Sequence, residues 1–298
     1  MTEIPRIFDR ALAGRRLARA LAGTPAPFLL ERAAEDLLDR LAPIQRAFAD
    51  VLDFGTPGPQ ATDLLAARPT TASLTRIGEA AGAGARTIID DLEAPGLPDA
   101  AYDLAVSLLA LHAVNDLPGV FTQIRRTLRP DGLFIAALMG GDTLHELRAA
   151  LMEAEIETTG GASPRVAPFA DVRALGQLLQ RAGFALPVAD SEALCVRYPS
   201  ALHLMHDLRA MGATSSLSDR SRTPLRRATL MRALEIYAER FSDPDGKVRA
   251  TFDIIWVSGW APHESQQKPL RPGAAQMRLA DALKPASYTT PSKDEPTP

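Results

Sequence analysis

Three short stretches carry residue types that could do chemistry around a bound cofactor, and each follows an apolar run. The first is Asp53-Phe54-Gly55-Thr56-Pro57-Gly58-Pro59, directly after Val51-Leu52. Glycine in a strand-to-helix turn lets backbone approach a nucleotide-like molecule closely, and the next helix N-terminus adds a favourable dipole. The second is Asp90-Asp91-Leu92, where a carboxylate can accept from an adenine amino group while the leucine packs on the ring. The third is His112, placed to orient a substrate or act as a base. Alone, each has a plainer reading. Gly55 and Gly58 suit an ordinary turn, Asp91 a solvated loop, and His112 a packed strand end.

A second group lies further along. Asp142, His145 and Glu146 open a helix-like stretch. Asp142 can cap that helix at Thr143, with Glu146 near the N3 position of a capping box, or both acids can face a pocket. His145 could reach a substrate from the first turn, or be a surface histidine. His203, His206 and Asp207 stand at helical spacing and imitate the two-histidine, one-carboxylate set that holds iron. His263 and Glu264 follow the last apolar strand. Arg222, Arg226 and Arg227 read as a solvated helix face, with docking of an acidic partner as the alternative.

Positioning these residues requires a scaffold, and its rhythm is legible. Residues 6–22 and 28–49 read as amphipathic helices separated by Thr24-Pro25-Ala26-Pro27. Strands are expected at 51–55, 73–77, 87–89, 102–107 and 133–138, with helices at 61–67 and 117–128. Asn115 or Asp116 can cap the latter helix, and Arg129-Pro130-Asp131-Gly132 stops it and turns into the next strand. Strand–helix alternation at this interval predicts an α/β fold with a parallel sheet, whose ligands bind beyond the carboxyl ends of the strands. Helices at 142–157 and 170–182, a strand at 186–196, two helices within 200–241 and a long strand at 249–260 follow. The expected organisation is a helical cap over 1–49 and a domain over 50–283 with helical insertions at 139–170 and 200–248. A disordered tail from Lys284 completes it.

Composition narrows the class. With 46% hydrophobic and 23% charged residues the chain is globular, and no apolar run approaches the ~20 residues of a membrane span. A net charge of −3 gives no whole-chain attraction for nucleic acid. The single cysteine, Cys195, excludes intrachain disulfides and cysteine-built metal clusters. The N-terminal arginines Arg6, Arg10, Arg15, Arg16 and Arg19 could imitate a transit peptide, but Glu3 and Asp9 favour a basic amphipathic helix. A cytoplasmic, bacterial setting is expected.

The ordered set of glycine turn, acidic loop, Tyr102-Asp103-Leu104 and Leu128-Arg129-Pro130-Asp131-Gly132 resembles the class I S-adenosylmethionine-dependent methyltransferases. Their branch includes the malonyl-carrier methyltransferase of biotin synthesis. More specific blocks are Ile7-Phe8-Asp9-Arg10, Leu111 to Leu117, Gly140-Gly141-Asp142-Thr143-Leu144-His145-Glu146-Leu147-Arg148 and His263-Glu264-Ser265-Gln266. Together with Ser163-Pro164, Pro168-Phe169 and Gly183-Phe184, they resemble the methyltransferase-like arginine hydroxylases that assemble mitochondrial complex I, and their alphaproteobacterial relatives. The resemblance implies a seven-stranded, mostly parallel sheet with the last strand antiparallel. It implies S-adenosylmethionine near Asp53, Gly55, Gly58, Asp91 and Leu92, and substrate chemistry near His112, Asp142 and His145. It also implies a protein substrate, an arginine on an iron–sulfur subunit of respiratory complex I, met at the inner face of the membrane. Relatives commonly carry acids at the positions of His203 and His206, so no metal site is expected there.

The cofactor turn departs from that pattern. Where the family has three glycines, this chain has Gly55, Pro57 and Pro59, with Gly58 displaced. Proline fixes φ and removes an N–H donor. Arg76 stands where an acid usually grips the ribose hydroxyls, and a guanidinium cannot accept. Losing one charge-assisted hydrogen bond costs roughly 1.5–3 kcal/mol, about tenfold to a hundredfold in affinity. Three readings follow: an enzyme modifying a complex I subunit, a catalytically silent assembly chaperone with the same fold, or a small-molecule or carrier-protein methyltransferase. The Gly140–Arg148 and His263–Gln266 blocks argue against the third.

Overall fold

The computed structural model describes residues 5–78, 86–88 and 90–267. The chain divides after His263, and the first unit holds every element described below. Among the described residues seven strands form one sheet: β1 (Asp50–Phe54), β2 (Ser73–Ile77), β3 (Arg86–Ile88), β4 (Tyr102–Leu108), β5 (Leu128–Met139), β6 (Ala185–Tyr198) and β7 (Val248–Trp260). Their order is β3-β2-β1-β4-β5-β7-β6. The first five strands pair in parallel, and β7 runs antiparallel to both β5 and β6. This is the sheet the sequence predicts.

The central strands β1, β4 and β5 bury side chains on both faces, which is why they read as continuous apolar runs rather than alternating ones. On β5, Leu133, Ile135 and Ala137 join one cluster with α2 (Phe28–Leu41) and α3 (Gln60–Ala66). Phe134, Ala136 and Leu138 join the opposite cluster with α4 (Leu117–Thr127) and α6 (Val172–Arg181). A third cluster packs α5 (His145–Thr159), α7 (Ala201–Ala210) and α8 (Arg227–Phe241) on the first half of β7. The remaining helix, α1 (Arg10–Leu21), is capped by Asp9, whose carboxylate accepts from the Leu12 N–H.

Several boundaries move for physical reasons. The first helix starts at Arg10, because Phe8 just before it bridges to Leu217. The second ends at Leu41 rather than residue 49; Phe48 then enters the core from an irregular segment, fully buried. Asp116, not Asn115, caps α4 by accepting from the Gly119 N–H at 2.9 Å, while Asn115 pairs with the backbone of Phe8. Strand β5 already begins at Leu128, paired with Tyr102, and the register shifts before Leu104 pairs with Leu133. Arg129-Pro130-Asp131-Gly132 is thus a bulged stretch of the strand, with Asp131 at φ 64°. The strand at 87–89 begins one residue earlier; Ile89 and the tail from Lys284 lie outside the described residues.

Candidate active site

Strand register assembles the first part of the site. β1 and β2 pair so that Asp53 lies beside Arg76, with Arg76 Nε 3.8 Å from Asp53 Oδ2. Both are buried, Asp53 at 0% and Arg76 at 3% exposure. The separation is too long for a hydrogen bond, and neither Asp53 oxygen has a hydrogen-bond partner among the described residues. Burial therefore pushes the Asp53 carboxyl up to about 6, while Thr56 and the Arg76 charge pull the other way. Arg76 Nη2 donates to the Thr56 carbonyl at 2.6 Å, and the Thr56 hydroxyl accepts from the Leu108 N–H at 3.1 Å. The turn after β1 is tied to β2 and β4.

Gly55 has φ +81°, and a Cβ on it would stand 2.7 Å from Leu92 Cδ1. Leu92 thus reaches the glycine turn, as its sequence position suggests. Gly58 is covered on its open side, where a Cβ would meet Leu30 Cδ2 at 2.9 Å and the side chain of Gln60. Asp91 is largely exposed, its side chain at 58%, and accepts from the Glu93 N–H at 3.0 Å. Arg10 on α1 stands over this loop, 3.6 Å from Asp91 and 3.4 Å from Glu93. The sequence reading gave Arg10 a place in a motif but no role.

The second part gathers beyond β4 and β5. His112 lies in a short 3-10 turn, Leu111–Ala113, with its ring edge-to-face on Phe169 at 5.4 Å. Its Nδ1 is shut off from solvent without a partner among the described residues, and burial pushes its pKa down to about 4. The imidazole is neutral at ordinary pH. Residues 140–143 form a turn gripped from three sides. Asp253 on β7 packs on Gly140, where a Cβ would lie 2.6 Å from the carboxylate carbon. Thr143 Oγ1 exchanges hydrogen bonds with the backbone of Asp253, both at 3.1 Å. Arg148 spans to the carbonyls of Thr143 at 3.2 Å and Ala167 at 3.3 Å.

Asp142 does not cap α5. That helix starts at His145, preceded by Leu144 at φ 54°, and no side chain caps it. Asp142 is exposed, and its carbonyl faces His145 Nδ1 at 3.1 Å. Glu146 is buried and accepts from the N–H and hydroxyl of Thr251, at 3.1 and 2.6 Å, so no capping box forms. The structure brings Asp142 and His145 into one turn. His145 then packs on Phe241, whereas His112 packs on Phe169. Asp253 was missed by the sequence reading. A carboxylate between Phe252 and Ile254, heading the apolar run Ile254 to Val257, was the available signal.

Other candidates stand apart. His203 pairs with Ser200 at 3.0 Å, and no group of three metal-ligating side chains occurs among the described residues. His263 and Glu264 are exposed. Arg226 precedes α8 and Arg227 begins it, both exposed.

A family described as a methyltransferase domain matches residues 29–187. The chain belongs to this methyltransferase family. It is 35% identical over 289 residues to the mitochondrial arginine-hydroxylase NDUFAF5 of Danio rerio, covering 93% of this chain and 90% of that protein. It is 31% identical over 307 residues to a malonyl-[acyl-carrier protein] O-methyltransferase of a Methylovorus species, with 97% of each chain covered. Among solved structures, the YcgJ protein of Bacillus subtilis superposes with a TM-score of 0.53 at 13% identity, covering 78% of this chain and 99% of that one. The last agreement concerns the fold.

S-adenosylmethionine is the cofactor of the class I superfamily, and its ribose needs acceptors at the end of the second strand. This methyltransferase-family chain offers none at that position: Arg76 is a donor and is turned back onto Thr56. The side chains of Leu92, Leu30 and Gln60 fill the space beside Gly55 and Gly58. At the described end of β2 a donor thus stands where the superfamily has an acceptor, while Asp91 keeps an exposed carboxylate where the resemblance places the adenine.

Proposed function

We propose that this methyltransferase-family chain acts on a protein, modifying an arginine of a respiratory complex I subunit during assembly of that complex. One observation carries the reading. Similarity to the arginine-hydroxylase extends over 93% of the chain, so it includes the Gly140–Arg148 turn as well as the sheet. That turn is fixed by Asp253, Thr143 and Arg148 at the end of β5, where the superfamily's substrates sit. The helical additions at 139–170 and 200–248 recognise the partner, an iron–sulfur subunit near the quinone end of complex I, from the inner face of the membrane in the bacterial cytoplasm. No helix among the described residues is long and apolar enough to cross a membrane, so membrane proximity comes through the partner.

In this reading His112 works as a neutral imidazole. Burial holds its pKa near 4, so it can accept a proton or hydrogen bond from the substrate without first losing one. Asp142 and His145 line the entrance, where an exposed carboxylate can pair with the incoming guanidinium. Asp91 and Leu92, with Asp53, Gly55 and Gly58 behind them, form the cofactor side.

The inward turn of Arg76 favours a second reading, in which the same surface binds the subunit and no chemistry follows. Co-expression with the partner subunit and mass spectrometry of its arginines separates the two. A mass gain of one oxygen or one methylene, lost in His112→Gln, supports the enzyme. An unmodified but co-purifying subunit leaves the silent chaperone, and a subunit that neither binds nor changes sinks both. Titration calorimetry with S-adenosylmethionine and S-adenosylhomocysteine, using Asp91→Ala alongside, tests the cofactor separately. Micromolar binding lost in the variant supports a reshaped pocket; no heat, with an unmoved melting temperature, removes the cofactor from the account.

A further inference from the structure

Three segments meet around a cavity of about 350 Å³. Arg16 comes from α1, Arg165 from the segment after α5, and Arg220 and Arg222 from the segment between α7 and α8. Among the described residues no acidic one lines the cavity. Four guanidinium groups thus share one concave space, and the nearby carboxylates do not balance them. Arg165 is held by Glu155 through Nε at 2.8 Å and Nη2 at 2.5 Å. Arg220 lies 3.5 Å from Asp9 and donates to the Leu217 carbonyl. Arg16 spends one nitrogen on the carbonyls of Thr214 and Ser215 and forms no ion pair with a described carboxylate, although Asp9 attracts it from further off. Arg222 is exposed, with no hydrogen bond or ion pair to a described residue.

Two positive charges are therefore left over, with burial and the charge of Arg220 already working against Arg16. Ser215 also lines the cavity, and its hydroxyl, just beneath the surface, has no hydrogen-bond partner among the described residues. Convergent arginines that mostly exhaust each other's space, plus an unused hydroxyl donor, are what a multiply charged oxyanion requires. A solvated arginine face would spread its charges outward; here they point into one hollow.

We propose that this cavity is a binding site for a multiply charged oxyanion, either a phosphate group or a dicarboxylate, held by Arg16, Arg222 and Ser215. The site is separate from the residues of the proposed arginine chemistry, and its ligand is bound whether or not that chemistry occurs. Calorimetry of the full chain in low-salt buffer with sodium pyrophosphate and, in parallel, sodium succinate tests it. Saturable one-site binding is expected. Stronger pyrophosphate binding identifies a phosphate group and stronger succinate binding a dicarboxylate. Arg222→Gln, which leaves every described hydrogen bond in place, weakens binding about tenfold to a hundredfold. Ser215→Ala provides a second variant that keeps all the charges and also weakens binding. Arg227→Gln, outside the cavity, leaves it unchanged. No saturable binding of either anion overturns the proposal, as does an equal loss in Arg222→Gln and Arg227→Gln, which would mean a diffuse charge field.

Discussion

Replacing Asp53 by Asn should reshape the pH dependence of stability more than its size. The wild-type carboxyl has no exposure and no hydrogen-bond partner among the described residues, and burial pushes it from an ordinary 3.8 to about 6. A carboxyl whose folded pKa is raised favours the folded state when protonated. Between the two values the folded protein holds a proton that the unfolded chain has released, so acid stabilises folding through this group. The gap of about two pH units, at about 1.4 kcal/mol each, makes a penalty of ~3 kcal/mol at pH 7 that fades as pH falls from about 6 to about 4. Asn keeps the shape and cannot ionise. Urea unfolding from pH 4.5 to 7.5 should therefore show the wild type gaining on Asp53→Asn by roughly 2 kcal/mol as pH falls through that window. The offset at pH 7 is smaller than ~3 kcal/mol, because the variant leaves Arg76 buried with only Thr56 to bond. Parallel curves across the whole range would refute the argument, since they would mean that Asp53 is solvated or firmly hydrogen-bonded at the end of β1.

Three further outcomes follow from neighbouring geometry. Gly55→Ala should lower stability by about 1–3 kcal/mol in urea, through its φ of +81° and the 2.7 Å approach to Leu92; Leu92→Ala should recover only the steric part. The ring protons of His112 should not shift in NMR between pH 8 and pH 5.5, because burial holds its pKa near 4, and stability carried by the neutral ring is lost as pH falls below the ordinary histidine value of about 6.5. Arg148→Ala should cut arginine modification at least tenfold while moving the unfolding midpoint by less than about 1 kcal/mol, since Arg148 ties the turn at 141–143 to Ala167 from a partly exposed position.

The fold was legible because the central parallel strands β1, β4 and β5 are buried on both sides, leaving short apolar runs such as Tyr102–Leu108 between helical stretches. Local chemistry set several ends as well: Asp116 capping α4 and Asp9 capping α1 are ordinary carboxylate caps. What the pattern could not give was pairing across the sheet. Arg76 was recognised as the wrong residue for a ribose, but only the β1–β2 register shows that it faces a buried Asp53 and bonds Thr56. The same blindness applied to Asp142. A sequence-local capping box looked sufficient, yet Glu146 and Thr143 are both engaged by β7, more than a hundred residues away. Long-range partners outcompeted the local motif.

Those partners also explain why the two halves of the site deserve different functional weight. On the cofactor side, Arg76 bonds the turn it might have opened and side chains cover the glycines, but both Asp53 oxygens and Arg76 Nε stay without a hydrogen-bond partner among the described residues. On the substrate side, buried polar groups are spent on holding one exposed turn in place. Asp253 braces Gly140, Thr143 and Glu146 bond β7, and Arg148 reaches across to Ala167. A buried network of this kind is costly unless complete, and once complete it selects a single loop conformation. The conformation it selects leaves Asp142 and His145 exposed, while His112 packs on Phe169. A chain built this way has fixed its exposed turn at 140–143 through partners on β7 and beyond, and a fixed outward turn is what the proposed reading of a protein substrate requires.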